Sequence, residues 1–492
     1  MADISVVNSN RLVPALPNTA TQFLNGTGAF STPATTGGGT QKLVSAYASL
    51  SAAYTAAAGT DLVIDVPVSV TATGATPADV NIVWRETGVF NVPAGLTLTI
   101  SKSNDTSTKQ RFAGAGVKVF AAKAAPYFHL SWWSGADETV DQTNNIRDAL
   151  QSAANSVGGT IFVSAGNWLT TGNHEIPRLT TLQGMGQRIT TFQLTGTATK
   201  LFTITTDPAG SDANFKHINI NNMRLNCGNI AGSRAVYISG ANGTALYGIR
   251  IKNVTFRDIA AAAIQIEDTT AGGGYYHVET EMILVEHCNF ELCGLGFRCG
   301  SINGSYKFLM PYFYMSANQG AFQLDYSGQF TCEDHLITGH GPRDASNNLT
   351  DSSFILRVQG DHGPIVFRGG QDEGVKYFLT SPAGYPNLSA KIILEDNAIQ
   401  CLIAPQSSCT VSSRNNTLNA GSVADTSGAQ LVFISNNDRH KGYNLANSAS
   451  TAPITQTFLN STSYTGFGTV IATNGTTKVM RMNSAGTGLE FV

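Results

Sequence analysis

A chain of 492 residues can bury more than one core, yet only 13% of it is charged and its net charge is -3, which gives neither nucleic acid nor an anionic membrane a reason to bind. No apolar run reaches the roughly 18 residues needed to cross a bilayer, so membrane insertion is not expected. The seven cysteines are odd in number and lack CxxC pairs, which argues against a disulfide framework or a zinc knuckle and for reduced core thiols in a protein assembled in a cytoplasm.

Residues 1–42 are rich in Asn, Thr, Pro and Gly, and end in Gly37-Gly38-Gly39. They read as a small attachment module with a flexible joint. The opening MADISVVNSN has no basic stretch followed by an apolar one, so it does not read as a secretory signal. From Leu43 onward, β segments recur at Leu62 to Val70, Val80 to Trp84, Leu96 to Ile100 and Val117 to Phe120, separated by Gly, Pro and Asn turns. That rhythm is the mark of a solenoid whose units stack. Ile146, Ala149, Leu150, Ala153, Ala154 and Val157 then recur at helical spacing after Asp141, a natural N-cap, and Gly158-Gly159 ends the helix. A single helix followed only by short strands predicts an end cap on a stacked β structure.

Beyond the helix come Ile161 to Val163, Thr180 to Gln183, Thr190 to Leu194, His217 to Leu225, Tyr247 to Phe256, Met282 to Phe290, Phe308 to Met315, Phe354 to Val358, Ile365 to Phe367, Lys391 to Leu394, Thr410 to Ser412 and Gln430 to Ile434. Alternation such as Ile251-Lys252-Asn253-Val254-Thr255-Phe256 puts apolar side chains inward and polar ones outward. The expected organisation is a β solenoid over 43–443, a Ser/Thr/Ala/Asn linker over 444–463 and a small β module over 464–492.

Trp133-Ser134-Gly135-Ala136-Asp137, Asp141, Ile146, Ala149-Leu150, Gly158-Gly159-Thr160-Ile161-Phe162-Val163, Ala165-Gly166 and Leu182-Gln183-Gly184-Met185-Gly186 together resemble the pectate-lyase-like right-handed parallel β-helices of phage tailspikes and polysaccharide-degrading enzymes. Glu138 stands where that family has glycine. The resemblance implies an all-β, right-handed parallel β-helix with one short capping helix and small terminal modules. It marks architecture and assigns no catalytic residue. The two ends echo one another, Asn25-Gly26-Thr27-Gly28-Ala29-Phe30 against Gly486-Thr487-Gly488-Leu489-Glu490-Phe491, and look like short modules of tail fibres and spikes.

No dinucleotide, P-loop, nucleophile-elbow or HExxH pattern is present, so neither a cofactor nor a metal is expected. Carboxylates are the better lead. Glu333, Asp334, Asp361, Asp372 and Glu373 fall on what should be consecutive coils, about 4.8 Å apart. Side chains one or two coils apart can reach the separations of roughly 5 to 9.5 Å used by glycosidases. His335, His362 and Arg368 could bind sugar hydroxyls or carboxylates, and Tyr312 and Tyr314 could stack on sugar rings.

The resulting expectation is a homotrimeric phage tailspike, carried in the virion tail and joined through its N-terminus to tail or baseplate proteins. It would bind a bacterial surface polysaccharide, capsule or O-antigen, and cleave it by hydrolysis. A lyase on the same fold and a spike that binds glycan without cutting it are the alternatives.

Overall fold

The computed structural model describes residues 41–134, 139–205, 215–240, 245–268, 279–300, 304–345, 349–360, 362–381, 391–404 and 409–419. It also describes Asp438 and short strands toward the two ends, at 23–24, 30–31, 422–425, 431–436, 439–441, 444–447, 455–459, 469–471, 477–482 and 489–491. Strands dominate and pair in parallel with partners one coil away, forming three walls around a continuous apolar core: a parallel β-helix.

The coils begin well before Trp133. In the leader, Lys42–Leu43, Asp61–Ile64 and Asn81–Trp84 form the first wall. Pro67–Ser69, Val89–Asn91 and Phe112–Ala113 form the second, and Gly74–Ala75, Thr97–Ile100 and Val117–Phe120 the third. A short helix, α1 (Leu50–Ala56), is capped by the Ser49 side chain, which accepts from the Ala52 amide.

The second helix, α2 (Thr143–Asn155), lies in mid-chain rather than at the end of the stack. Asp141 accepts from the Thr143 amide and hydroxyl, one residue outside the formal cap Gln142. Ile146, Ala149, Leu150 and Ala153 face the core, while Asp148 and Ser152 face the edge of Val117–Phe120. There the Lys118 amide donates to Asp148 Oδ2 at 3.0 Å and the Phe120 amide to Ser152 Oγ at 3.0 Å. Four residues of helix rise about 6 Å and two of strand about 6.6 Å, so side chains at i and i+4 meet amides at j and j+2. The helix thus takes the place of a third-wall strand, and buried side chains stand in for a backbone ladder.

From Tyr127–His129 onward the walls continue in one sheet. On the first wall the inward column reads Ile161, Leu182, Ile220, Ile251, Val285, Phe308, Cys332, Phe367 and Leu394, each in register with the next. The corner between first and second walls is a single left-handed residue in successive coils: Asn222, Asn253, His287, Met310, Asp334, Gly369, Asp396 and Asn415. All seven cysteines are buried and free of disulfides. The parallel ladder runs on through Asn444–Asn447 and Thr455–Leu459, inside the stretch that composition assigns to a linker. Alternating threonines in Thr455–Leu459 suit a pleated strand. Thr469–Ile471, Thr477–Met482 and Leu489–Phe491 form a separate antiparallel sheet.

Candidate functional site

The four expected carboxylates among the described residues, Glu333, Asp334, Asp372 and Glu373, do not share one site. Glu333 ends a first-wall strand and points outward. It sits 3.2 Å from Lys307 Nζ and 3.7 Å from Arg368 Nη1, and Arg368 is in turn 2.8 Å from Glu395. Register stacks Glu333, Arg368 and Glu395 in one column, so the guanidinium lies between two carboxylates. Asp334 is the next residue and forms the corner, with φ 54° and its amide donating to the Arg368 carbonyl. Asp372 points into the core beside Ile337, whereas Glu373 faces outward on the second wall opposite Thr338. Asp361 lies outside the described residues, as do Gly135, Ala136 and Asp137 of the motif that begins at Trp133.

The two histidines are also inside, away from any sugar. His335 is fully buried, its two ring nitrogens have no hydrogen-bond partner, and burial pushes its pKa down to about 4. Its ring meets the edge of Phe367 and leans over Gly370, where an added Cβ would lie 1.9 Å from His335 Cε1. Beyond Gly370 the same corner carries Asn397, Asn416 and Asp438, a buried polar column in which each side chain accepts from the amide one coil away. His362 Nδ1 is 2.9 Å from Ser327 Oγ and Nε2 is 3.0 Å from the Gln359 carbonyl, which makes it a brace for a turn.

Asp372 yields a pH prediction. Its Oδ2 accepts from the Gln400 amide and the Cys401 thiol, Oδ1 has no partner, and burial raises its pKa to about 7. An acid whose folded pKa lies above its unfolded one is stabilising only below the unfolded value, and that stability is lost as pH rises from about 4 to about 7. Asp372→Asn does not titrate there. The variant should gain on the parent across that interval by on the order of 4 kcal/mol. Urea unfolding at pH 4 and pH 7.5 measures this, and an unchanged difference between the two would reject it.

Residues that do converge are on the second wall. Strand Asn289–Gly300 sends Phe290 inward and Glu291 outward; Tyr312–Met315 sends Phe313 inward and Tyr312 and Tyr314 outward. Phe256, Phe290 and Phe313 stack at centroid distances of 5.0 and 4.4 Å, giving this wall a rigid backing. In register outside them stand Arg257, Glu291 and Tyr314. Together with Arg188, Leu292 and Tyr312 they line a groove of about 320 Å³.

Two carboxylates meet at Arg257: Nε is 3.2 Å from Asp258 Oδ2, and Nη1 is 3.7 Å from Glu291 Oε2. Because both contact one planar guanidinium, their separation is at most about 9 Å, so it does not exceed the widest spacing at which two carboxyls flank a glycosidic bond. Arg188 comes from far away in sequence. The turn after Gln183 anchors Gly184 and Gly186 to the next coil, and the Gln187 side chain then bonds the His287 carbonyl at 3.2 Å and Asn289 Nδ2 at 3.4 Å. Tyr312 and Tyr314 were visible in the sequence as stacking candidates. Arg188, Arg257, Asp258 and Glu291 were not, because the uneven steps from Arg257 to Glu291 to Tyr314 hide a register that only the coil reveals. Among the described residues, no group of three His, Cys, Asp or Glu side chains is placed to hold a metal.

Residues 134–342 match the family model described as rhamnogalacturonase A/epimerase, pectate lyase-like. No curated protein matches the chain. Among solved structures, ORF18 of Geobacillus virus E2 is 15% identical over 72% of this chain and 66% of that one, with a TM-score of 0.41. The A-module of mannuronan C-5 epimerase AlgE4 from Azotobacter vinelandii is 14% identical over 70% of this chain and all of that one, at 0.39. Tailspike protein 3 of bacteriophage CBA120 is 10% identical over 74% and 69%, at 0.35.

Proposed function

We propose, for a chain whose residues 134–342 are a pectate-lyase-like parallel β-helix, that it is a tailspike that binds a bacterial surface polysaccharide and cuts it by glycosidic hydrolysis in the second-wall groove. The observation that carries this reading is the convergence of Tyr312, Tyr314, Arg188, Arg257 and Glu291 on one groove, with Asp258 paired to Arg257 beside it. The tyrosines offer ring faces for sugars, and the arginines offer planar donors for sugar carboxylates or hydroxyls. An acidic sugar that engages Arg257 would draw it from Asp258 and Glu291. One carboxyl is then freed to act as proton donor and the other as base or nucleophile.

A second reading, glycan binding without cleavage, is favoured by the same ion pairs, since carboxylates engaged by the Arg257 guanidinium are occupied as its partners rather than free to act on a sugar. Incubation of the purified chain with capsular and O-antigen polysaccharides separates the readings. New reducing ends without ultraviolet absorbance are expected; unsaturated, absorbing ends would mean a lyase, and binding without new ends a receptor-binding spike. Failure to bind any surface polysaccharide would overturn the proposal.

The working form is proposed to be a homotrimer in the phage tail, attached through its N-terminal module. Light scattering should return a trimer at micromolar concentration, and a monomer would refute it. Deleting 464–492 should dissociate the trimer while β signal in circular dichroism persists, because coils are held mainly by their neighbours.

A further inference from the structure

A second concavity lies on the first wall, around the corner from the groove just described. It has a volume of about 370 Å³ and includes His217, Asn219, Arg250, Met282, Leu284 and Lys307 in its lining. Its cause is local backbone geometry. His217, Gly248 and Met282 occupy the same level in three successive coils, and all three are left-handed, with φ 43°, 75° and 60°. The ladder slips register beside the first and the last of them, between Phe215 and Ile218 and between Thr280 and Ile283. Stacked irregularities of this kind re-aim side chains and carry a backbone cost, so they mark sites better than a flat wall does. The His217 ring lies close against Gly248, where a Cβ would be 2.9 Å from Nδ1. Met282 remains 68% exposed, a long apolar side chain in a conformation that Asn or Gly adopts at less cost.

The lining is divided by chemistry. Met282 and Leu284, on one strand, form an apolar stripe, while Asn219 and Arg250 on the coils before it and Ser305 and Lys307 on the coil after it bring mainly hydrogen-bond donors to its two flanks. Arg250 and Lys307 are fixed in place by Glu286 and Glu333. We propose that this concavity is a second glycan site, distinct from the cleavage groove, that takes an N-acetylated sugar. The acetyl methyl would lie on Met282 and Leu284, and the acetyl carbonyl, which can only accept, would face the donors. The proposal rests on the polysaccharide reading above and adds a specificity to it: a polymer crossing the corner would present an N-acetylhexosamine to the first wall.

The test uses the full chain with ¹³C-methyl-labelled methionines and monosaccharide probes. Millimolar N-acetylglucosamine or N-acetylgalactosamine should shift the Met282 methyl resonance, assigned from the Met282→Asn variant, whereas glucosamine and glucose should not. Met282→Asn suits the left-handed backbone and should weaken N-acetylglucosamine binding at least 10-fold by equilibrium dialysis. Leu284→Asp should do the same by charging the apolar side. An unmoved Met282 signal, or equal shifts with glucosamine, would overturn the site. Depolymerisation and the second-wall residues do not enter this readout, so its failure is distinguishable from failure of the cleavage reading.

Discussion

Glu291→Gln should lower the rate of polysaccharide cleavage by roughly 10²-fold or more, because the amide keeps the shape of the side chain and removes the group that titrates. The unfolding midpoint should barely change, since Glu291 faces outward and its pairing with half-exposed Arg257 at 3.7 Å is of the kind that contributes little to stability. Reducing-end assays at saturating polymer, beside a thermal melt, measure both. Parental turnover in this variant, with Asp258→Asn also unaffected, would remove the second-wall groove as the site of hydrolysis.

The residue just before it should behave in the opposite way. Phe290 points inward as the middle of three stacked rings, 5.0 Å from Phe256 and 4.4 Å from Phe313. Phe290→Ala should destabilise the chain by about 3–5 kcal/mol, since the cavity is walled by rings on neighbouring coils that cannot close over it. Nearest-neighbour stacking confines the damage. Amides of Thr255 to Arg257 and Tyr312 to Tyr314 should lose hydrogen-exchange protection first, with the leader coils before Trp133 spared. Uniform loss along the solenoid would contradict this.

The contrast between Phe290 and Glu291 shows what the sequence could reveal. Alternation is local, so Thr180–Gln183 and Thr190–Leu194 were legible to the residue, and α2 was legible from its 3.6-residue period. Corners were not. Met282 to Phe290 reads as one strand, yet His287 at φ 51° turns the chain within it, as Met310 at φ 48° does within Phe308 to Met315. Neither residue type announces a turn. Third-wall strands such as Arg234–Gly240 were missed for another reason: almost every residue is buried, which leaves no alternation to see.

The same geometry explains the expected site. Glu333, Asp334 and His335 are adjacent in sequence, but the corner at Asp334 sends the first outward on one wall and the third into the core. Closeness along the chain therefore gave a false cluster. The groove residues, spread from Arg188 to Tyr314, became neighbours only when the coils were in register.

Replacing one strand by α2 has a consequence for how such a chain finds its pairing. Every coil resembles the next, so a folding β-helix is exposed to frame-shift errors in which a strand docks one rung early or late and still buries apolar side chains. At Val117–Phe120 the partner is Asp148 and Ser152, which the helix presents one turn apart and which accept from strand amides at 3.0 Å each. A wrong strand offered to that edge would have to displace a helix whose apolar face is already buried. The helix is thus an index mark: coils on either side can be counted from it, and a misaligned rung cannot propagate past it.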